Sequence, residues 1–120
     1  MARAKDAVGA YGERVAVAHL VAEGMELIER NWRCARGEID AVLRDGADVV
    51  VFCEVKTRRS TRFGEPIEAI VGAKSRRLRK LAAMWLADRG VHAPEIRFDV
   101  VSVLPQPAGA ARVEHLRGAF

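Results

Sequence analysis

Two carboxylates and one ammonium group occur at close spacing in the first half of the chain, at Asp40, Glu54 and Lys56. Residues 49–53, which precede Glu54, are apolar and mostly β-branched, as is typical of a strand covered on both faces. A charge buried in such a strand is costly unless a partner compensates it. Mg²⁺ is commonly held by one or two carboxylates, with water and substrate phosphate as its other ligands. We therefore predict that Asp40 and Glu54 bind Mg²⁺, or Mn²⁺ in its place. The alternative is that each carboxylate pairs with an arginine near a strand end.

The turn between the two strands decides whether these groups meet. The sequence Asp-Gly-Ala-Asp at 45–48 is a strong hairpin signal. A three-residue loop at 46–48 would place Asp40 directly opposite Glu54, whereas a two-residue turn would place Asp40 beside Cys53, on the wrong face. The metal-site interpretation therefore predicts the three-residue loop, or a shorter loop with a bulge.

Side chains alternate along a strand, so the strand that carries Asp40 should have two distinct faces. Glu38 would share the face of Asp40 and is a further candidate ligand. Strict alternation predicts Glu38, Asp40 and Val42 on one face, and Ile39, Ala41 and Leu43 on the other.

Lys56 and Glu13 complete the set of candidate catalytic groups. We expect Lys56 to act as a cation that stabilises transition-state charge or orients the attacking water, since neighbouring carboxylates oppose its deprotonation. Glu13 shares a helical stripe with Val17 and Leu20 and should face the sheet. It would bind a second metal or hold a metal-bound water. The alternative is a partly exposed carboxylate near the start of a helix.

Basic residues follow the acidic strand and suggest a polyanionic partner. The chain has a net charge of +4 and a pI near 9.6. A basic cluster beside carboxylates is typical of a site that binds phosphate next to a metal ion. The alternative is that these basic residues form the solvated face of a helix. The predicted nucleic-acid-binding residues are Arg58, Arg59, Arg62, Lys74, Arg76 and Arg77.

The hydrophobic pattern predicts a single α/β domain over 1–120, with a mixed sheet and helices packed on it. A helical crossover after a hairpin leads to a further strand, which makes the sheet mixed. The predicted elements are a helix at 6–23, strands at 25–34, 38–44 and 49–57, a helix from 66 to 89, a strand at 96–104 and a short strand at 112–116.

Several other features argue against alternative functions. We find no signal peptide or membrane span, and two unpaired cysteines fit a reduced cytoplasmic protein with no membrane partner. Cys53 is expected to be a small core residue and Asp99 a structural acid paired with an arginine. The histidines have no ligand spacing and are assigned no role: His19, His92 and His115.

An acidic residue on one strand followed by Glu-x-Lys on the next resembles the PD-(D/E)XK nuclease superfamily. Asp40, Glu54 and Lys56 stand at its motif positions, and Glu13 matches the helical glutamate of archaeal Holliday junction resolvases. One departure is that isoleucine, not proline, precedes Asp40. Over essentially the whole chain the sequence resembles the YraN-like family of small bacterial proteins in this superfamily, through residues 12–13, 37–40, 52–58, Lys74, 97–101 and 119–120.

This resemblance implies a restriction endonuclease-like αβββαβ core whose β-hairpin carries the acidic site. It also implies Mg²⁺-dependent endonuclease activity on DNA, including branched or junction DNA, and the related resolvases suggest a homodimer. Some members of the superfamily keep the fold without catalysis. A non-catalytic nucleic-acid-binding module and an interaction protein with a relic acidic pocket are the alternatives.

Overall fold

The computed structural model describes residues 7–58 and 75–119, which form two helices and five strands. The predicted order is confirmed, including the short last strand, whereas the predicted start of the second helix at residue 66 lies outside the described residues. Neither described helix is long and apolar enough to cross a membrane. The elements are α1 (Ala7–Ala22), β1 (Glu26–Cys34), β2 (Gly37–Asp45), β3 (Val49–Thr57), α2 (Ser75–Arg89), β4 (Glu95–Leu104) and β5 (Arg112–Leu116).

The five strands form one mixed sheet in the order β1-β2-β3-β4-β5. β1, β2 and β3 follow one another as antiparallel hairpins, and β5 pairs antiparallel with β4 at the far edge. β3 and β4 are parallel, with α2 in the connection between them, because parallel neighbours require a crossover. The predicted α/β architecture with a central mixed sheet flanked by helices is confirmed.

Two apolar clusters fix the helices to opposite faces of the sheet. In β3, Val50 and Phe52 pack in the α2 cluster, whereas Val51 and Cys53 pack in the α1 cluster, as alternation along a strand requires. Trp85 of α2 is buried edge-on against Phe52, with the ring centroids 5.7 Å apart. The α2 cluster comprises Trp32, Ile39, Val42, Val50, Phe52, Leu78, Leu81, Ala82, Trp85 and Phe98. The α1 cluster comprises Ala16, Leu20, Met25, Ala41, Leu43, Val51, Cys53, Val101 and Val103.

The alternation of faces is interrupted in β1 and β2 where Asn31 lies opposite Asp40, between two registered pairs. Asn31 has a φ of 54°, in the left-handed region, which a non-glycine residue seldom adopts. Beyond this point Ile39 packs in the α2 cluster, although Ala41 packs in the α1 cluster. The prediction that Ile39 and Ala41 share a face is therefore wrong, because the two side chains pack in the clusters on opposite faces of the sheet.

Helix α1 approaches the end of β3 most closely at Gly12. A Cβ atom at this position would overlap the side chain of Thr57, so that only glycine fits without a shift of one element. The next residue, Glu13, is only 4% exposed, and Ala16 and Leu20 on the same side of α1 are fully buried. The prediction that the stripe of Glu13 faces the sheet is confirmed.

Candidate active site

The loop between β2 and β3 has the length predicted for a register in which Asp40 lies opposite Glu54. Asp45 pairs with Val49, which leaves the three residues 46–48 as the turn. The register runs regularly to the pair Ala41–Cys53, and its continuation by one residue would bring Asp40 opposite Glu54. The predicted three-residue loop is therefore confirmed.

The carboxylate of Asp40 reaches the backbone of the neighbouring strand. Its Oδ2 atom accepts a hydrogen bond of 2.8 Å from the backbone N–H of Val55, the residue between Glu54 and Lys56. Asp40 is 6% exposed, and this hydrogen bond shows that its side chain is directed towards β3. A carboxylate held in this way has a fixed orientation beside the Glu-x-Lys motif.

Glu54 and Lys56 lie on the α2 side of the sheet, because they continue the face of Val50 and Phe52 along β3. Glu54 is half-buried and Lys56 is exposed. This pair therefore combines a carboxylate at the rim of the core with a cation that reaches solvent.

Cys53 immediately precedes Glu54, lies on the opposite face of β3 and is fully buried. Burial raises the pKa of the Cys53 thiol well above its usual value, and the negative charges of Asp99, Asp40 and Glu54 raise it further. The thiol is neutral at physiological pH and is a poor nucleophile. The prediction that Cys53 is a small core residue is confirmed.

The two further acids predicted for the site have different surroundings. Glu13 is buried on α1, the helix that packs in the cluster of Ala16, Leu20 and Cys53. In the described part of the chain, Glu13, Asp40 and Glu54 are not a group of three whose ligand atoms all lie within 4.8 Å of one another. Glu38 is partly exposed and forms an ion pair of 3.0 Å with Arg33.

A basic groove lies between the β1–β2 turn and helix α2. It has a volume of about 330 Å³ and is lined by Arg36, Arg76, Arg77, Lys80 and Leu81. Gly37 follows Arg36 beside this groove, and its φ of 143° favours glycine, whereas a Cβ atom there would only contact Leu81 Cδ1 at 3.4 Å.

The groove contains only part of the predicted nucleic-acid-binding set. Arg76 and Arg77 line it, whereas Arg58 is half-buried near the end of β3, where its backbone N–H donates to the Val103 carbonyl over 2.7 Å. Arg36 was not predicted, because it is far from α2 in the sequence. Three predicted residues lie outside the described part of the chain: Arg59, Arg62 and Lys74.

Comparison with known proteins identifies the family. Residues 12–103 match the model of an uncharacterised protein family, UPF0102, and this range contains every carboxylate of the candidate site. The chain belongs to family UPF0102. It is 62% identical over 119 residues to a UPF0102 protein of Frankia alni and 64% identical over 116 residues to one of Beutenbergia cavernae. These alignments cover 98% and 97% of this chain, and 98% of each relative. UPF0102, the YraN-like family, belongs to the restriction endonuclease-like nuclease superfamily, so the predicted family is confirmed.

This UPF0102 chain also contains a buried acid at the far side of the sheet. Both oxygens of Asp99 accept hydrogen bonds from Arg97, at 2.9 and 3.0 Å, and one also accepts from the Gly118 N–H. His115 Nε2 lies 2.8 Å from Asp99 Oδ2. Although burial raises the pKa of Asp99, these hydrogen bonds lower it to about 2. The predicted pairing of Asp99 with an arginine is confirmed.

His115 is held between two carboxylates, which the sequence did not indicate. Its Nδ1 atom lies 2.9 Å from Glu23 Oε1, and its side chain is 6% exposed. The hydrogen bond to Asp99 raises the pKa of His115, and Glu23 adds to this effect against the opposing effect of burial. His115 therefore links β5 to β4 and to the end of α1.

Proposed function

We propose that this protein is a metal-dependent endonuclease that hydrolyses phosphodiester bonds in DNA, branched or junction DNA included. The observation that carries the proposal is the hydrogen bond from Val55 N–H to Asp40 Oδ2, which holds one carboxylate against the backbone of the Glu-x-Lys motif. Membership of a nuclease superfamily supports the same reaction class, although the relatives are uncharacterised.

The donor set suits a hard divalent cation. Asp40 and Glu54 offer carboxylate oxygens, which are the ligands that Mg²⁺ prefers. Asp40 and Glu54 would hold the ion, and Glu13 would bind a second ion or hold a metal-bound water. When bound, such an ion polarises the phosphate and lowers the pKa of an attacking water.

The remaining residues would bind and orient the substrate. Lys56 is exposed beside Glu54, where its ammonium group would stabilise the additional negative charge of the transition state. The basic groove would hold the DNA backbone, because guanidinium groups bind phosphate oxygens in a bidentate manner. Phosphate contacts of this kind position a duplex without reading its sequence.

A non-catalytic nucleic-acid-binding module is the second candidate. The observation that favours it is the groove itself, since four cationic side chains line it independently of the carboxylates. Under this alternative the protein binds DNA with salt-sensitive affinity and never cleaves it.

The test is cleavage of labelled linear, flapped and four-way-junction DNA by metal-free protein supplied with Mg²⁺, Mn²⁺ or chelator. Glu54→Gln removes a charge with little change in shape. Glu38→Gln is the matched control, because Glu38 lies on the neighbouring strand but pairs with Arg33 at the surface.

We expect metal-dependent cleavage by the wild type and by Glu38→Gln, and none by Glu54→Gln. Cleavage that persists in Glu54→Gln would show that the site is wrongly assigned or that a contaminant is responsible. Binding without cleavage by every variant would favour the second candidate.

A further inference from the structure

A second group of potential ligands lies where the C-terminal end of α1 meets β5. His19 and Glu23 are one helical turn apart, and His115 comes from β5. His19 Nε2 lies 3.4 Å from Glu23 Oε1, and His115 Nδ1 lies 2.9 Å from the same oxygen. All three ligand atoms lie within 4.8 Å of one another, and within residues 7–58 and 75–119 this group alone meets that condition.

These separations match the geometry of a zinc site. Zinc binds imidazole nitrogen and carboxylate oxygen at about 2.0–2.1 Å, so tetrahedral ligands lie roughly 3.3 Å apart. The distances from Glu23 Oε1 to His19 Nε2 and His115 Nδ1, 3.4 and 2.9 Å, lie close to this value, and the third separation is no more than 4.8 Å. Two imidazoles and one carboxylate are also the ligand set of several catalytic zinc sites, which leave the fourth position open.

The histidine from β5 has the support that metal-binding histidines usually have. Its second nitrogen, Nε2, faces Asp99 Oδ2 at 2.8 Å, which leaves Nδ1 directed at Glu23 and His19. A carboxylate behind a ligating histidine fixes the orientation of the ring and makes the other nitrogen a stronger ligand. Asp99 is itself held by Arg97 and by the Gly118 N–H, so that the position of the ring is defined.

We propose that His19, Glu23 and His115 bind a zinc ion that fastens the end of α1 to β5. The imidazoles favour zinc over Mg²⁺, which prefers oxygen ligands. His19 and Glu23 have side chains 38% and 35% exposed, so that a metal and a fourth ligand, such as water, can enter from solvent. This zinc site is independent of the proposed nuclease reaction, because none of its three ligands belongs to the carboxylate site of Asp40 and Glu54.

The experiment titrates metal-free protein with Zn²⁺ by calorimetry and with Co²⁺ by visible absorbance, which reports tetrahedral coordination. His19→Gln is the main variant, because His19 is partly exposed and its loss should leave the fold intact. His92→Gln is the matched control, since His92 is an exposed histidine outside the cluster. Two further variants address the other metal-binding groups: Glu54→Gln for the carboxylate site, and Cys34→Ser for a half-buried thiol.

We expect one equivalent of Zn²⁺ to bind the wild type, His92→Gln, Glu54→Gln and Cys34→Ser with similar affinity. His19→Gln and Glu23→Gln should weaken binding by about 100-fold or more, since loss of a supporting residue alone commonly costs 10–100-fold. Zinc should also raise the melting temperature of the wild type but not that of His19→Gln, because a ligand that binds only the folded state stabilises it.

Two outcomes would overturn the proposal. If the wild type binds no zinc at micromolar concentrations, the cluster is only a charged His115 held between Glu23 and Asp99. If His19→Gln binds zinc as tightly as the wild type, or if Cys34→Ser or Glu54→Gln abolishes binding, the metal lies elsewhere.

Discussion

Two substitutions of Asp40 should separate its structural role from its proposed role in catalysis. Asp40 is 6% exposed and accepts a 2.8 Å hydrogen bond from Val55 N–H. Asp40→Ala removes that acceptor inside the sheet, and a buried donor left without a partner costs about 1–3 kcal/mol. Asp40→Asn keeps an oxygen where the carboxylate was, so we expect a loss of less than about 1 kcal/mol. Both variants lack the charged ligand and should fail to cleave DNA.

The stability difference is measured by urea unfolding at neutral pH with chelator present, so that no metal contributes. Glu38→Ala is the control, because its ion pair with Arg33 is partly exposed and should contribute less than about 1 kcal/mol. Cleavage of the best substrate is then measured for each folded variant with saturating Mg²⁺.

The structural and catalytic roles of Asp40 are tested by separate results. If Asp40→Ala is as stable as the wild type, the bond to Val55 does not contribute to the fold as argued. If Asp40→Asn is as stable as the wild type and still cleaves DNA at the wild-type rate, the carboxylate is not a metal ligand.

Three other predictions follow from the geometry. Asp99 has a pKa of about 2 against an ordinary 3.8, so it contributes about 2 kcal/mol of stability that is present above pH 4–5 and lost as the pH falls towards 2. Urea unfolding between pH 5 and 2.5 should show this loss of unfolding free energy in the wild type and a smaller loss in Asp99→Asn. If the unfolding free energy of both proteins falls equally with pH, Asp99 does not make this contribution. Gly12→Ala should destabilise the protein by about 1–3 kcal/mol through its overlap with Thr57, and Thr57→Gly should reduce that cost in a double-mutant cycle. If the free-energy changes of the two substitutions are additive, the overlap with Thr57 is not the cause of the destabilisation. Arg36→Gln should weaken DNA binding and reduce the slope of log affinity against log salt by about 0.9, whereas Arg33→Gln, which removes a guanidinium already paired at the surface, should change it less. If the two variants have equal slopes of log affinity against log salt, Arg36 does not contact the DNA.

Local sequence determined the elements and the register of the central hairpin. Turn chemistry at 45–48 and the apolar run that follows are short-range features, and they predicted the three-residue loop that aligns Asp40 with Glu54. The helical stripe of Glu13 was predictable for the same reason, since the positions of its members depend only on the period of the helix.

The direction of the Asp40 side chain depended on tertiary structure. Alternation along an isolated strand gives Asp40 a face, but its neighbours Ile39 and Ala41 pack in different clusters. The carboxylate bonds to the backbone of β3, a contact between residues 15 apart in the chain. No local pattern in the sequence signals that the alternation is interrupted at Asp40.

The sequence alone thus determined which residues form the helices and strands, the loop that aligns the carboxylates, and the family to which the chain belongs. Tertiary structure decided which distant side chains meet. Arg36 joins Arg77 across the basic groove, and His115 joins His19 and Glu23 beside Asp99. The physical reason is that periodicity and turn chemistry act over a few residues, whereas these groups meet only when the complete sheet brings its two edges against the helices.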